Sequence, residues 1–297
     1  MKVLRGVLIL AALLLLLVFV PSESSLADVV SIPLDEAAGL PVNGMFYLSE
    51  TEYEDPSLRV VIRTGREYDS YWWMARIRIS DPSQLRTAAA TANGQGTANG
   101  ITMAKRVNAV LAINGDFWPT NKQEYGKHIV RQGVMKKHNA SGQFDALVID
   151  DNGDFHILRD AKEKDFESLP YTVVNSFAFG PALIVDGQKV PEFKTTASEG
   201  VGKDKPTQRM CIAQVGPLEY MVVCCSGPED TNSVGLTLEQ FRDLVYDLGS
   251  GRVQCAYNLD GGTSSWLIFN YEKVNVPDNP KRRPLADIIY FASAWEE

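Results

Sequence analysis

The sequence predicts an α+β or mixed α/β fold, with a twisted, largely mixed β-sheet core and a few flanking helices. Most apolar residues fall in short runs bounded by Gly, Pro, Asn and Asp, the signature of strands and tight turns. Clear helical spacing shows in one segment, where Leu238, Phe241, Leu244, Val245 and Leu248 line one face. Two polar clusters, around Asn114 and Asn258, each follow a helix and then an apolar strand. In open α/β sheets such clusters gather at the carboxyl ends of strands and form ligand crevices.

A chain of 297 residues with 45% hydrophobic content can bury a real core. Its formal charge of -8 excludes a general binder of nucleic acid or anionic membrane. An anionic substrate must therefore meet a local group of cations. At the start, Lys2 and Arg5 precede an apolar run over residues 7–20, Pro21 breaks it, and Ser25-Leu26-Ala27 offers a signal-peptidase site. The run is short of the roughly 20 apolar residues a span takes. We read residues 1–27 as a cleaved signal, with an uncleaved membrane anchor as the alternative. The working protein is then secreted or associated with the cell envelope. Residues 28–57, rich in Pro and acids, read as a leader over the surface, and 58–297 as a single domain.

Residues 58–63 and 71–79 alternate as strands, the second carrying Tyr71-Trp72-Trp73. Residues 91–100 contain Thr-Ala-Asn-Gly twice and read as a loop; Thr102 is placed to cap a short helix ending at Arg106. A buried strand over 107–113 runs into Asn114-Gly115-Asp116-Phe117-Trp118-Pro119. Residues 145–150 and 155–159 form a hairpin around Asn152-Gly153, which supplies the positive φ of a tight turn. Residues 176–187 give strand, turn, strand and an Asp186-Gly187 hairpin. A charged loop with Lys203 and Lys205 leads to Arg209. Strands over 210–215 and 220–225 then place Cys211 opposite Cys224 as the candidate disulfide pair; the preferred reading keeps all four cysteines as small buried apolar residues. No CxxC spacing or neighbouring His pair suggests a cysteine metal site. Thr237 caps the clear helix and Gly249 stops it.

Next comes a strand over 253–257, then Asn258-Leu259-Asp260-Gly261-Gly262-Thr263-Ser264-Ser265, then a strand over 266–269. Alone, these eight residues read as an Asp-Gly hairpin. They echo the earlier cluster, however: Ala112-Ile113-Asn114-Gly115-Asp116 and Ala256-Tyr257-Asn258-Leu259-Asp260 share one form. If the two strands are parallel neighbours, two Asn and two Asp converge. Lys281-Arg282-Arg283 sit in a proline-rich loop before a final strand over 285–291, with a phosphate contact from Arg283 open.

These residues, together with Phe179-Gly180-Pro181-Ala182-Leu183 and Gly235-Leu236-Thr237-Leu238, resemble the phosphodiester glycosidase family from about residue 111 to 291. The chain departs from the family pattern at Thr263, where a third glycine is usual, and at Pro206-Thr207-Gln208-Arg209, where Pro-Arg-Thr is usual. The resemblance implies a mixed α/β sheet fold and hydrolysis of a sugar-1-phosphodiester. It gives Arg209 the role of clamping phosphate.

Cleavage of the sugar carbon–oxygen bond passes through an oxocarbenium-like state. The departing phosphomonoester has a second pKa of about 6 and leaves readily. The site then needs a carboxylate at the anomeric carbon, a base for water and cations on phosphate. Asp260 is the candidate nucleophile or base and Asp116 the second carboxylate. The N–H groups of Gly261 and Gly262 are expected to aid Arg209 on phosphate. Asn114, Asn258, Thr263 and Ser264 are expected to hold sugar hydroxyls or phosphate, and His128, beside Lys127, is the one histidine proposed to bind substrate. Each carboxylate also has a plain reading as a turn former. A divalent cation held by Asp116 and Asp260 stays open, since hard cations favour oxygen. The expected partner is a phosphoglycan or other sugar-1-phosphodiester. The competing functions are a non-catalytic phosphoglycan-binding module and a metal-dependent phosphodiesterase.

Overall fold

A computed structural model describes residues 28–35, 38–91, 96–116, 128–138, 140–142, 144–193, 202–230, 232–276 and 283–296. The signal segment, Phe117-Trp118-Pro119, Lys127, residues 92–95 of the repeat, Lys281 and Arg282 lie outside them.

The strands form three sheets, and every pairing described between named strands is antiparallel. The α+β reading holds, while the mixed sheet does not. The eight-stranded sheet runs Glu52–Glu54, Leu58–Glu67, Ser70–Ile79, Glu219–Cys225, Arg209–Gly216, Cys255–Leu259, Ala182–Val185, Gln188–Lys189. The segment read as a leader thus supplies an edge strand, and its Tyr53 is buried in the main core. A second sheet runs Val134–His138, His128–Arg131, Val173–Phe177, Ala146–Asp150, Phe155–Leu158. The third runs Glu272–Lys273, Leu267–Phe269, Ala109–Asn114, Asp287–Ala292, Leu85–Ala89. Aliphatic and aromatic side chains from all three, such as Ile212, Ile149 and Ile113, share one core.

The helix Leu238–Leu248 starts at a Thr237/Gln240 capping box, as the sequence predicts, and buries Leu238, Phe241, Leu244 and Val245. The short helix Gly100–Arg106 is capped by the Asn99 side chain rather than by Thr102. In the Arg209–Gly216 hairpin, Cys211 faces Val223 and Cys224 faces Met210, so the predicted opposition is off by one; all four cysteines are buried free thiols. Burial raises the Cys211 and Cys224 thiols far above their usual range.

The arrangement that matters for the site concerns residues 255–269. Cys255–Leu259 lies in the eight-stranded sheet and Leu267–Phe269 in the third. The Asp260-Gly261 turn is therefore a crossing between sheets, and the hairpin reading fails. Leu267 pairs with Ile113, so the crossing delivers residues 260–266 to the end of the Ala109–Asn114 strand. The two polar clusters do meet, although their strands are neither parallel nor adjacent.

Candidate active site

Strand ends and one sheet crossing place the polar groups. The Asn114 amide ties the two loops: its Nδ2 donates to the Asp260 carbonyl at 2.8 Å, and its Oδ1 accepts from the Trp266 N–H at 3.1 Å. Asn114 is buried, so it braces the site where the sequence reading had it holding substrate. A small hollow is lined by Asn114, Asp116, Asp260, Ser264, Arg283 and Asp287 among others. Asp260 and Arg283 also border an adjoining cleft of about 280 Å³, whose walls include Lys205, Gln208, Arg209, Glu229 and Asn258.

Asp260 is half-buried. Protein packed around its carboxyl raises it to about 6 against the opposing pull of the Ser264 hydroxyl, Arg283 and the Gly261 N–H, with Asp116 adding a small upward push. The 260–262 loop needs both glycines for different reasons. A Cβ at Gly261 would lie 2.4 Å from the Gln208 carbonyl oxygen, whereas Gly262 has φ of 59° and open space where a side chain would point. The Gly261 N–H helps hold the Asp260 carboxyl down, and Gly262 donates to the Gln208 carbonyl at 3.0 Å. The Gly262 N–H is therefore spent on Gln208, contrary to the sequence expectation that it aid on phosphate.

Asp116 is buried; its Oδ2 accepts from the Ala178 N–H at 2.8 Å and lies 4.0 Å from Arg131 Nη2. Arg131, also buried, contacts Asp287 Oδ2 through Nε at 2.8 Å and Nη2 at 2.7 Å, with its guanidinium 4.2 Å from the Phe177 ring centre. Burial pushes the Asp287 carboxyl up, partly offset by Arg131 and the Asp116 N–H. Its carboxyl occupies the space a Cβ at Gly115 would need, at 2.4 Å. Asp287 and Arg131 thus position the Asp116 loop, and the sequence reading missed both. Each sat as one polar residue at the end of an apolar strand, a pattern equally compatible with a solvated strand end.

Arg209 is buried and donates through Nε to the Leu236 carbonyl (3.2 Å) and through Nη2 to those of Lys205 (3.0 Å) and Gly202 (3.3 Å). Burial lowers its pKa, but a guanidinium stays charged. Asn258 is buried with Nδ2 donating to the Gly180 carbonyl at 2.8 Å, while its Oδ1 has no hydrogen-bond partner among the described residues. Thr263 accepts the Arg283 N–H at its carbonyl, 3.3 Å away, and borders the cleft. His128 borders neither hollow. It pairs through Nδ1 with His138 Nδ1 at 2.8 Å and stacks on Phe166, and burial with His138 lowers its pKa to about 4. A neutral packing histidine replaces the expected ligand-binding one. Asp116 and Asp260 would offer a cation two carboxylates, but no group of three His, Cys, Asp or Glu suited to a metal occurs among the described residues.

A family model described as phosphodiester glycosidase matches residues 107–292, which contain both loops. The chain belongs to the phosphodiester glycosidase family. The catalytic domain of zebrafish N-acetylglucosamine-1-phosphodiester alpha-N-acetylglucosaminidase, auto-inhibited by its pro-peptide, has a similar fold: TM-score 0.64, 17% identity, covering 90% of this chain and 98% of that one. So does a hypothetical protein from Synechocystis, at TM-score 0.61 and 15% identity over 79% of this chain and 62% of that one. The SPbeta prophage-derived uncharacterized protein YomE of Bacillus subtilis (strain 168) is 28% identical over 192 residues, 64% of this chain but 29% of its own length. This chain thus spans under a third of that relative.

Proposed function

We propose that this protein is an exported hydrolase that cleaves the glycosidic C–O bond of a sugar-1-phosphodiester in envelope or extracellular glycans. The observation that carries the reading is the shared hollow: Asp116 and Asp260, from loops far apart in the chain, border one polar space with Arg283 beside both. The adjoining cleft adds Lys205 and Arg209, so cations gather locally on an acidic protein. In this reading the sugar lies between the carboxylates and the phosphate sits toward Arg283, Lys205 and Arg209. The Asp260 carboxylate acts as nucleophile or base at the anomeric centre, and its value near 6 makes it both ionised and basic at neutral pH. Asp116, fixed by the Ala178 N–H and faced by Arg131, stabilises the developing positive charge. The phosphomonoester leaves without a strong acid. A zebrafish protein of similar fold whose name specifies a sugar-1-phosphodiester, and a Burkholderia pseudomallei K96243 protein of similar fold described as exported (TM-score 0.53, 14% identity, 75% of this chain and 74% of that one), support the substrate class and the export.

The test is hydrolysis of synthetic sugar-1-phosphodiesters in oxygen-18 water. Label should enter the sugar, and Asp260→Asn should lower kcat by roughly 100-fold or more with an unchanged circular dichroism spectrum. Label in phosphate would mean P–O cleavage and defeat this mechanism, as would full activity of the variant.

A further inference from the structure

We propose that the open face of the eight-stranded sheet carries a second binding site, a groove lined by Arg59, Arg63, Arg76, Arg78 and Arg252 that holds a phosphate-bearing glycan chain. The substrate class rests on the function proposed above; the site itself does not. The groove encloses about 500 Å³. It borders Val215, near the Gly216 end of a strand whose other end is Arg209 in the cleft, so strand rise alone separates the two sites by about 20 Å.

Five arginines in one groove are unexpected on a chain of net charge -8. Arg59 stands directly opposite Arg78 across a strand pair, an arrangement that destabilises a sheet. The acids present do not cancel the field. Glu54 lies 3.6 Å from Arg59 and Glu219 pairs with Arg252, but all four side chains are well exposed, and such pairs contribute little. Glu52 is the remaining acid of the groove. Arg63 and Arg78 are exposed and make no ion pair or hydrogen bond among the described residues. Arg76 donates to the Leu248 carbonyl at 2.8 Å; burial lowers its pKa, Arg252 and Arg63 lower it further, and Glu219 offsets part of this. The cations therefore repel one another until an anion arrives.

The pattern is linear. Arg59 with Arg78, then Arg76 opposite Val61, then Arg63 opposite Met74 form successive steps of two residues, each about 6.6 Å along the strands. Val61 and Met74 give an apolar floor between the charges, suited to the carbon faces of sugars. Guanidinium forks suit phosphate oxygens. Tyr220, the one aromatic lining residue, is fully buried, so the surface offers bases nothing aromatic to stack upon.

The experiment measures binding of fluorescent phosphorylated dextran to the full chain, with plain dextran and single-stranded DNA as controls. The wild type should bind phosphorylated dextran, more weakly at higher salt, and bind plain dextran not at all. The double variant Arg63→Ser/Arg78→Ser should bind at least tenfold more weakly while hydrolysing a small sugar-1-phosphodiester at the wild-type rate. Its Tm should hold or rise, since like charges are removed. Asp260→Asn should bind phosphorylated dextran as the wild type does. Undiminished binding by the double variant, or lost binding in Asp260→Asn, would overturn the groove, and tighter binding of the DNA would overturn the glycan assignment. If no small diester is hydrolysed but the arginine-dependent binding persists, the cleft reading fails and the groove stands.

Discussion

At Asp260 two demands collide. The proposed reaction needs its carboxylate, while the protein packed around it favours the neutral acid and raises it to about 6. The rate should report this directly: kcat/KM on a small diester should rise with pH through an apparent pKa near 6. A profile flat from pH 5 to 8 would mean that Asp260 does not titrate in the rate-determining form. Stability should move the other way. Because the folded pKa lies above the usual 3.8, the folded state takes up a proton more readily than the unfolded chain. The stability this group supplies is therefore complete below pH 3.8 and is lost as pH rises through about 6. A half-buried group retains only part of the ideal effect, on the order of 1–2 kcal/mol. Asp260→Asn should accordingly raise Tm by a few degrees at pH 8, and the gain should vanish near pH 4. An inactive variant that is more stable is the outcome expected if a buried carboxylate is kept for the proposed reaction at a cost to folding. His128 shows the contrary case: its type suggested chemistry, but its Phe166 stack and His138 partner make it packing.

Elements built from local rules were legible, and elements fixed by distant partners were not. The Thr237-capped helix and the Asn152-Gly153 hairpin follow from residues within a few positions of each other, and both are present as expected. The Cys211–Cys224 register shows where local reasoning stops. At the turn, Gly216 does face Glu219, the pairing the turn dictates, but a bulge between Gln214 and Gly216 shifts every pair beyond it by one residue. That slip moves a side chain to the other face, so Cys211 faces Val223. Of the site, Asp116 and Asp260 were legible because glycine and asparagine flank them, and Arg209 only through the family resemblance. Arg131 and Asp287 were not, because only the packing of two sheets reveals that they meet. The crossing loop is testable at this scale. Gly261→Ala drives a methyl against backbone, at 2.4 Å from the Gln208 oxygen, and should lower activity at least tenfold by shifting Asp260. Gly262→Ala meets open space and suffers only its φ of 59°, roughly 1 kcal/mol, so it should keep most activity. Equal losses from the two would mean that close approach to Gln208 is not what holds the loop.

Across the whole molecule the site sits where all three sheets meet, and one buried ion pair helps join two of them. Arg131 ends a strand of the second sheet, Asp287 begins a strand of the third, and Asp116 follows the adjacent strand Ala109–Asn114. The pair is not a strong argument for net stability, since burying both charges offsets much of their attraction. Breaking it is another matter. Arg131→Met leaves Asp287 and Asp116 buried together without their common cation, and such orphaned charges cost about 3–5 kcal/mol. The loss should be largest at pH 8 and smaller at pH 5, where the Asp287 carboxyl, already pushed up by burial, can accept a proton in the folded state. Adding Asp287→Asn removes one of the two stranded charges and should restore a good part of the stability in urea unfolding. It should not restore activity, because Asp116 still lacks the cation that faces it and its loop lacks the carboxylate packed on Gly115. Recovery of both together would show that Arg131 and Asp287 only hold the sheets; recovery of stability alone assigns them to aiming Asp116 at the hollow.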